Sequence, residues 1–388
     1  MFKKKRIYLD YAAATPVRKE VFSAMKPYFS EHFGNPSAIH SEGVVGRKII
    51  EACRTRLSQL FRTRMGNVIF TSGGTESNNL AILGTLEATG KVWEDMEVIT
   101  TKLEHPSVLR VMEVLEKRGV TVHYAPVDEG GEIILPELQN LLSEKTNLIV
   151  ISYANSETGV IQPVKKISRT AHMVREDIHI HLDASQAPLW LPCHMDSLGV
   201  DSMTLDAGKC YGPKGVGALV YQGDAIFSSQ VYGGSQEGGV RAGTENTPLI
   251  VGMTKALEIA QEQWEKRSER VRMLRDTLEE RLLADIPDAV VNGTNIRLAN
   301  NVNISIPELD TEYAVIALDA AGIAVATKSA CGGADGDGSY VVREMTGDDA
   351  RALSTLRITL GEETVKKDIE TVAAALKRHV TMVRGENH

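Results

Sequence analysis

Short β-branched runs alternate with helical patterns through the first two thirds of this 388-residue chain. The runs are Glu97–Thr101, Val120–Tyr124, Leu148–Ser152, Ile178–Leu182 and Gly217–Tyr221. Such alternation predicts a largely parallel sheet covered by helices, a three-layer α/β arrangement. Between the first two runs, Val108, Val111, Met112 and Leu115 share one helical face, with Pro106 near its start and Gly119 past its end. From about Leu257 to Leu283 the spacing predicts one long amphipathic helix, with Trp264, Val271, Leu274, Leu278 and Leu282 on its apolar stripe. That helix reads as a connector. Beyond it lies a smaller α+β alternation: Asn301–Ser305, a helix near Ala314–Leu318, Ile323–Ala326, Leu356–Leu360, and a closing helix carrying Val365, Ile369, Val372 and Leu376 on one face. The expected division is a large α/β domain over residues 1–260 and a smaller α+β domain over 261–388, with the residues up to Thr15 packing against the smaller one.

An apolar fraction of 43% and a charged fraction of 24% are those of an ordinary globular protein. The net charge of -8 argues against a general affinity for nucleic acid, which favours basic surfaces. The basic start Met1–Asp10 is followed by no apolar run that could act as a signal peptide or membrane anchor, so a cytoplasmic protein is expected. Cys53, Cys193, Cys210 and Cys331 lack the paired spacing of a zinc site or disulfide framework, which fits a reducing compartment. Cys193-His194 is an isolated pair, and Asp335-Gly-Asp-Gly338 lacks the other ligands of a calcium loop, so no metal site is expected.

Chemistry concentrates around Lys209, in Thr204-Leu-Asp-Ala-Gly-Lys-Cys-Tyr-Gly-Pro-Lys-Gly215, downstream of the strand-like segment that ends at Asp183. An amine that can hold an aldehyde as an imine, paired with a carboxylate that can keep a ring nitrogen protonated, suggests a pyridoxal phosphate enzyme. Lys214 is the rival amine. Thr71-Ser-Gly-Gly-Thr-Glu-Ser-Asn-Asn-Leu80 has the form of a small-residue turn into a helix, where free N–H groups and the helix dipole favour an anion. It lacks the glycine spacings of dinucleotide and nucleoside triphosphate loops. Without further context it is equally a plain strand-to-helix turn.

These segments, with Tyr8–Pro16, Phe33–Ser37, Asn155–Gly159, Asp183–Gln186, Gly212–Gly215, Gly233–Asn246, Ser329–Cys331 and Leu356–Gly361, resemble the cysteine desulfurases of the NifS/IscS type within the class V aminotransferase family. The resemblance implies a pyridoxal-phosphate-dependent transferase of fold type I, aspartate aminotransferase-like. It implies that Lys209 carries the cofactor and moves protons, that Asp183 pairs with the ring nitrogen, that Gln186 meets the ring hydroxyl, and that Asn155 sits at the same edge as a cofactor and substrate contact. It implies His105 stacked on the ring, Gly74 and Thr75 on the phosphate, and Thr244 reaching the phosphate of a partner subunit in a homodimer. Arg357 would grip the substrate carboxylate with two parallel hydrogen bonds. Cys331, in a loop with four glycines between Thr327 and Tyr340, would attack the sulfur of bound L-cysteine, leaving a persulfide and alanine. The sulfur would pass to an acceptor such as an iron-sulfur scaffold protein.

Two positions depart from the family pattern. Asp206 and Gly208 stand where the family has Ser and His as phosphate donors, and an aspartate facing a phosphate is repelled unless it turns away or meets a cation. Weaker or differently organised phosphate binding is expected. Lys328 replaces a glycine ahead of Ser329-Ala-Cys331 and would lower the thiol's pKa if it faces Cys331. Cys210 is expected to be a packing residue. Alternatives that stay open are a selenocysteine lyase or another class V enzyme, and a non-catalytic scaffold homologue with Cys331 as a ligand to a shared iron-sulfur cluster.

Overall fold

The computed structural model describes residues 6–327 and 338–385. Cys331 and Lys328, and with them every expectation for the glycine-rich loop, lie outside the described residues. Twelve strands are formed among the described residues: β1 (Ile7–Tyr8), β2 (Val68–Thr71), β3 (Glu97–Thr100), β4 (Thr121–Tyr124), β5 (Thr146–Ser152), β6 (His179–Asp183), β7 (Ser202–Asp206), β8 (Gly217–Tyr221), β9 (Val290–Val291), β10 (Asn301–Ser305), β11 (Ile323–Ala324) and β12 (Thr355–Thr359).

Seven strands form the central sheet in the order β2-β8-β7-β6-β5-β3-β4. β3 to β7 pair in parallel, as the alternation predicts. Their residues are buried almost throughout β5, β6 and β7 because helices cover both faces. β8 is the exception. It runs antiparallel between β7 and β2, because the short stretch from Asp206 to Gly217 holds only a 3-10 turn (Ala207–Lys209) and no helical crossover that could return the chain in parallel. Gly217 starts β8 against the β2–helix turn: a Cβ there would lie 2.7 Å from Gly73 Cα, so only glycine permits that approach.

The expected single helix from Leu257 to Leu283 is two, Thr247–Glu262 and Trp264–Asp285, broken at Gln263, whose φ of -120° and ψ of 6° leave helical geometry. The break is stabilised by Arg267. Its buried guanidinium donates to Ile259 O and Ala260 O, carbonyls that the helix end leaves without partners, and to Leu189 O of a neighbouring turn. Of the expected stripe, Val271, Leu278 and Leu282 are fully buried, whereas Trp264 and Leu274 are only partly so. In the closing helix, Lys366–Val383, Ile369, Val372 and Leu376 are buried, but Val365 is the exposed N-cap and not part of the apolar face.

A second, antiparallel sheet has the order β12-β10-β9. The N-terminal segment joins it: β1 pairs with β11, Asp10 bridges Thr359, and Thr359 N donates to Leu9 O at 2.8 Å. From there residues 10–15 run on to the Lys209 turn, where Thr15 Oγ1 donates to Gly208 O at 2.9 Å. The N-terminal segment thus connects the two sheets and forms one wall of the pocket between them.

Candidate active site

Because β5, β6 and β7 are parallel, and β2 points the same way through two antiparallel steps, their carboxyl ends meet at one edge of the sheet. Ligands of open α/β sheets bind at such an edge. The pocket there is lined by Gly74 and Thr75 after β2, His105 after β3, Ser152 and Ala154 from β5, Asp183 and Gln186 from β6, and Asp206 and Lys209 from β7. Arg357, from β12, reaches the same pocket from the second sheet.

Asp183 ends β6 with three donors on its carboxylate. Asn78 donates to Oδ2 at 2.8 Å, and Ser185 donates to Oδ1 through its N–H at 2.9 Å and its hydroxyl at 2.6 Å. The network continues inward: His181 Nε2 lies 3.1 Å from Asn78 Oδ1, and its Nδ1 lies 2.8 Å from Ser202 Oγ, which His179 Nε2 also meets at 2.8 Å. Burial, opposed by the Asp183 charge, pushes the His181 imidazole down to about 3, so it is neutral.

His105 is both a capping and a pocket residue. Its Nδ1 accepts from Ser107 N at 3.1 Å, capping the helix Pro106–Lys117, while the ring lines the cavity. Burial pulls its pKa below the usual imidazole value, with the Lys209 charge adding to the effect and Asp183 opposing it. Beneath it, Glu104 is completely buried and its carboxyl is pushed up to about 7 by desolvation, although Ser152 and Thr101 hydroxyls donate to it.

Lys209 Nζ donates to Ala13 O, Lys214 Nζ to Thr15 O, and Gln186 Nε2 to Ala12 O at 3.0 Å. Lys209 lines the pocket and Lys214 does not. Cys210 is buried, as a packing residue should be, and burial raises its thiol well above the ordinary value.

Two expected site residues are not brought into the cavity. Asn155 lies between the lining residues Ala154 and Ser156, but its side chain is committed elsewhere: Oδ1 accepts from Glu157 N at 2.9 Å and Thr158 N at 3.0 Å within its own turn, and Nδ2 donates to Leu103 O at 2.8 Å in the segment before His105. Thr244 is exposed and outside the pocket. Sequence reading in turn passed over Asn78, Ser185 and the Ala12–Ala13 wall. Asn78 had a signal: it lies four residues after Gly74 on the same helical face.

The model of the family "Aminotransferase class-V" matches residues 7–372. The chain belongs to the class-V aminotransferase family. Within that family it is 40% identical over 385 residues to "Cysteine desulfurase IscS" of Dictyoglomus turgidum, covering 98% of this chain and 96% of that one. It is 36% identical over 378 residues to "Cysteine desulfurase IscS 1" of Archaeoglobus fulgidus, covering 97% of each. Among solved structures, a "NifS-like protein" superposes with a TM-score of 0.91 at 30% identity, over 97% of this class-V chain and 100% of the other. "SspA in complex with cysteine" does so with a TM-score of 0.78 at 31% identity, over 92% and 100%. Among the described residues no helix is long and apolar enough to cross a membrane, and no group of ligating side chains could hold a metal ion.

Proposed function

We propose that this class-V protein is a pyridoxal-phosphate-dependent cysteine desulfurase, which takes sulfur from L-cysteine, releases L-alanine and carries the sulfur as a persulfide on Cys331. The observation that carries the reading is the convergence of Lys209, Asp183, Gln186, His105 and Arg357 on one pocket. Cysteine desulfurases of nearly equal length and a relative bound to cysteine support it.

The residues fit the ring end of the cofactor. Lys209 would offer the amine and Asp183 a carboxylate held by three donors for the ring nitrogen, while His105, whose pKa burial lowers, lines the same pocket. Bound there, the cofactor would supply an electron sink for charge developing on the substrate. Lys209 Nζ moves protons between substrate carbons. Arg357 binds the substrate carboxylate, fixing the orientation of the thiol. The Cys331 thiolate attacks the substrate sulfur: a sulfur–sulfur bond forms, the carbon–sulfur bond breaks, and the carbon keeps the electron pair and takes a proton to give alanine. A second thiol then removes the outer sulfur. Cytoplasmic iron-sulfur or other thio-cofactor assembly, through a scaffold protein, is the proposed destination.

A homodimer belongs to the same reading. Thr244 is exposed, as a residue serving a neighbouring subunit would be, and between residues 22 and 39 the large apolar side chains of Phe22, Phe29, Phe33 and Ile39 are each exposed, which a second copy would cover.

The deciding experiment measures alanine formed from L-cysteine, with pyridoxal phosphate and a reductant present, by the wild type and by Cys331→Ala. Alanine from the wild type alone supports the persulfide route. Equal turnover by the variant excludes it, and no alanine from either removes the desulfurase reading.

A further inference from the structure

The first turn of the helix Gly74–Ala88 opens into the pocket. Its N–H groups have no intrahelical acceptors, and the helix dipole adds partial positive charge, so this is where the phosphate end of a ligand would be held. An anion of the protein itself is already there. Asp206 Oδ2 accepts from Gly74 N at 3.3 Å. Its Oδ1 accepts from Gly208 N at 2.8 Å, capping the short turn that presents Lys209.

The seat is closely built. A Cβ on Gly74 would come within 2.9 Å of Ser185 Oγ and 3.4 Å of Asp206 Oδ2, so backbone and carboxylate meet with no side chain between them. Gly208 likewise leaves Asp206 uncovered, since a Cβ there would lie 3.2 Å from Oδ1. Among the described residues no ion pair neutralises Asp206. The nearby ammonium groups of Lys209 and Lys214 are turned to Ala13 O and Thr15 O.

We propose that Asp206 is an internal anion occupying the phosphate seat, so that this protein discriminates little between pyridoxal phosphate and its unphosphorylated form, pyridoxal. The inference rests on the pyridoxal phosphate reading above. A phosphate ester can reach Gly74 N–H only by displacing the carboxylate or lying beside it, and either cancels what a phosphate gains at a free helix N-terminus. The ring contacts from Lys209, Asp183, Gln186 and His105 are the same for both compounds and carry the affinity.

Equilibrium dialysis of the full chain with pyridoxal phosphate and with pyridoxal tests this, using wild type, Asp206→Asn and Asp206→Ser. Asparagine and serine both keep a cap for Gly208 N while removing the charge. Thermal melts establish that each variant is folded. The expected result is a preference for the phosphorylated compound that rises tenfold or more in both variants, with pyridoxal affinity little changed. Inorganic phosphate should then compete with pyridoxal phosphate in the variants at concentrations that leave the wild type unaffected. A strong preference in the wild type that neither substitution alters overturns this inference alone. Failure of all three proteins to retain either compound overturns the cofactor reading and this inference with it.

Discussion

Arg357 donates from Nη2 to Asp10 Oδ1 at 2.9 Å and from Nη1 to Ser156 O at 3.0 Å, while its Nε is buried with no partner among the described residues. The guanidinium is almost fully buried. Asp10 lies on the segment that also supplies the acceptor for Lys209, so the N-terminal residues set the relation between the amine and the proposed carboxylate clamp.

A lysine at position 357 keeps the charge but loses the planar fork. Arg357→Lys is therefore expected to raise KM for L-cysteine at least tenfold, the loss of one charge-assisted hydrogen bond. Steady-state kinetics check this, and an unchanged KM would remove Arg357 from substrate binding.

Asn78 joins Asp183 to the interior, donating to Asp183 Oδ2 and facing His181 Nε2. Asn78→Ala strips a buried carboxylate of one donor, at an expected cost of about 1–3 kcal/mol in denaturant unfolding. Because both residues belong to one network, a double-mutant cycle with Asp183→Asn should show a coupling above about 0.5 kcal/mol. Additive effects would mean that Asn78 acts through the helix alone.

Much of this site was legible because its signals are local. Asp183 stands at the end of a strand-like run; His179 and His181, which period two puts on its face, gave no chemical signal of their own and enter only with the structure. Lys209 and the Gly74 turn each announce themselves within a dozen residues. What sequence could not supply depends on tertiary closure: Lys209 meets Ala13 across 196 residues, and Asp206 meets Gly74 across 132. The sequence raised a conflict between Asp206 and a phosphate, yet the carboxylate's seat on the Gly74 helix follows only from β7 and β2 flanking β8. The helix break at Gln263 was equally hidden, because apolar periodicity continues across it and the stabilising contacts come from a buried arginine.

His105 separates capping from catalysis. With Nδ1 accepting from Ser107 N, the neutral ring carries its proton on Nε2. Asparagine caps a helix well, so His105→Asn should keep stability within a few tenths of a kcal/mol, whereas His105→Ala should lose about 1 kcal/mol. Both should lower alanine formation about a hundredfold or more if the ring takes part in proton transfer. Full activity in the asparagine variant would reduce His105 to a cap.

Glu104 gives the protein a pH-dependent stability with a definite sign. Desolvation pushes its carboxyl to about 7 in the folded protein, above the ordinary 4.5. Below pH 4.5 both folded and unfolded chains hold the proton and Glu104 contributes no pH dependence. As pH rises from 4.5 to 7 the unfolded chain releases the proton while the folded chain retains it, so stability falls, and above 7 the loss levels off. A displacement from 4.5 to about 7 corresponds to about 3 kcal/mol. Glu104→Gln, which cannot ionise, should therefore gain on the wild type by up to that amount between pH 4.5 and pH 8 in urea unfolding. Parallel pH–stability curves for the two proteins would show that Glu104 is ionised in the fold, with its charge held by Ser152 and Thr101.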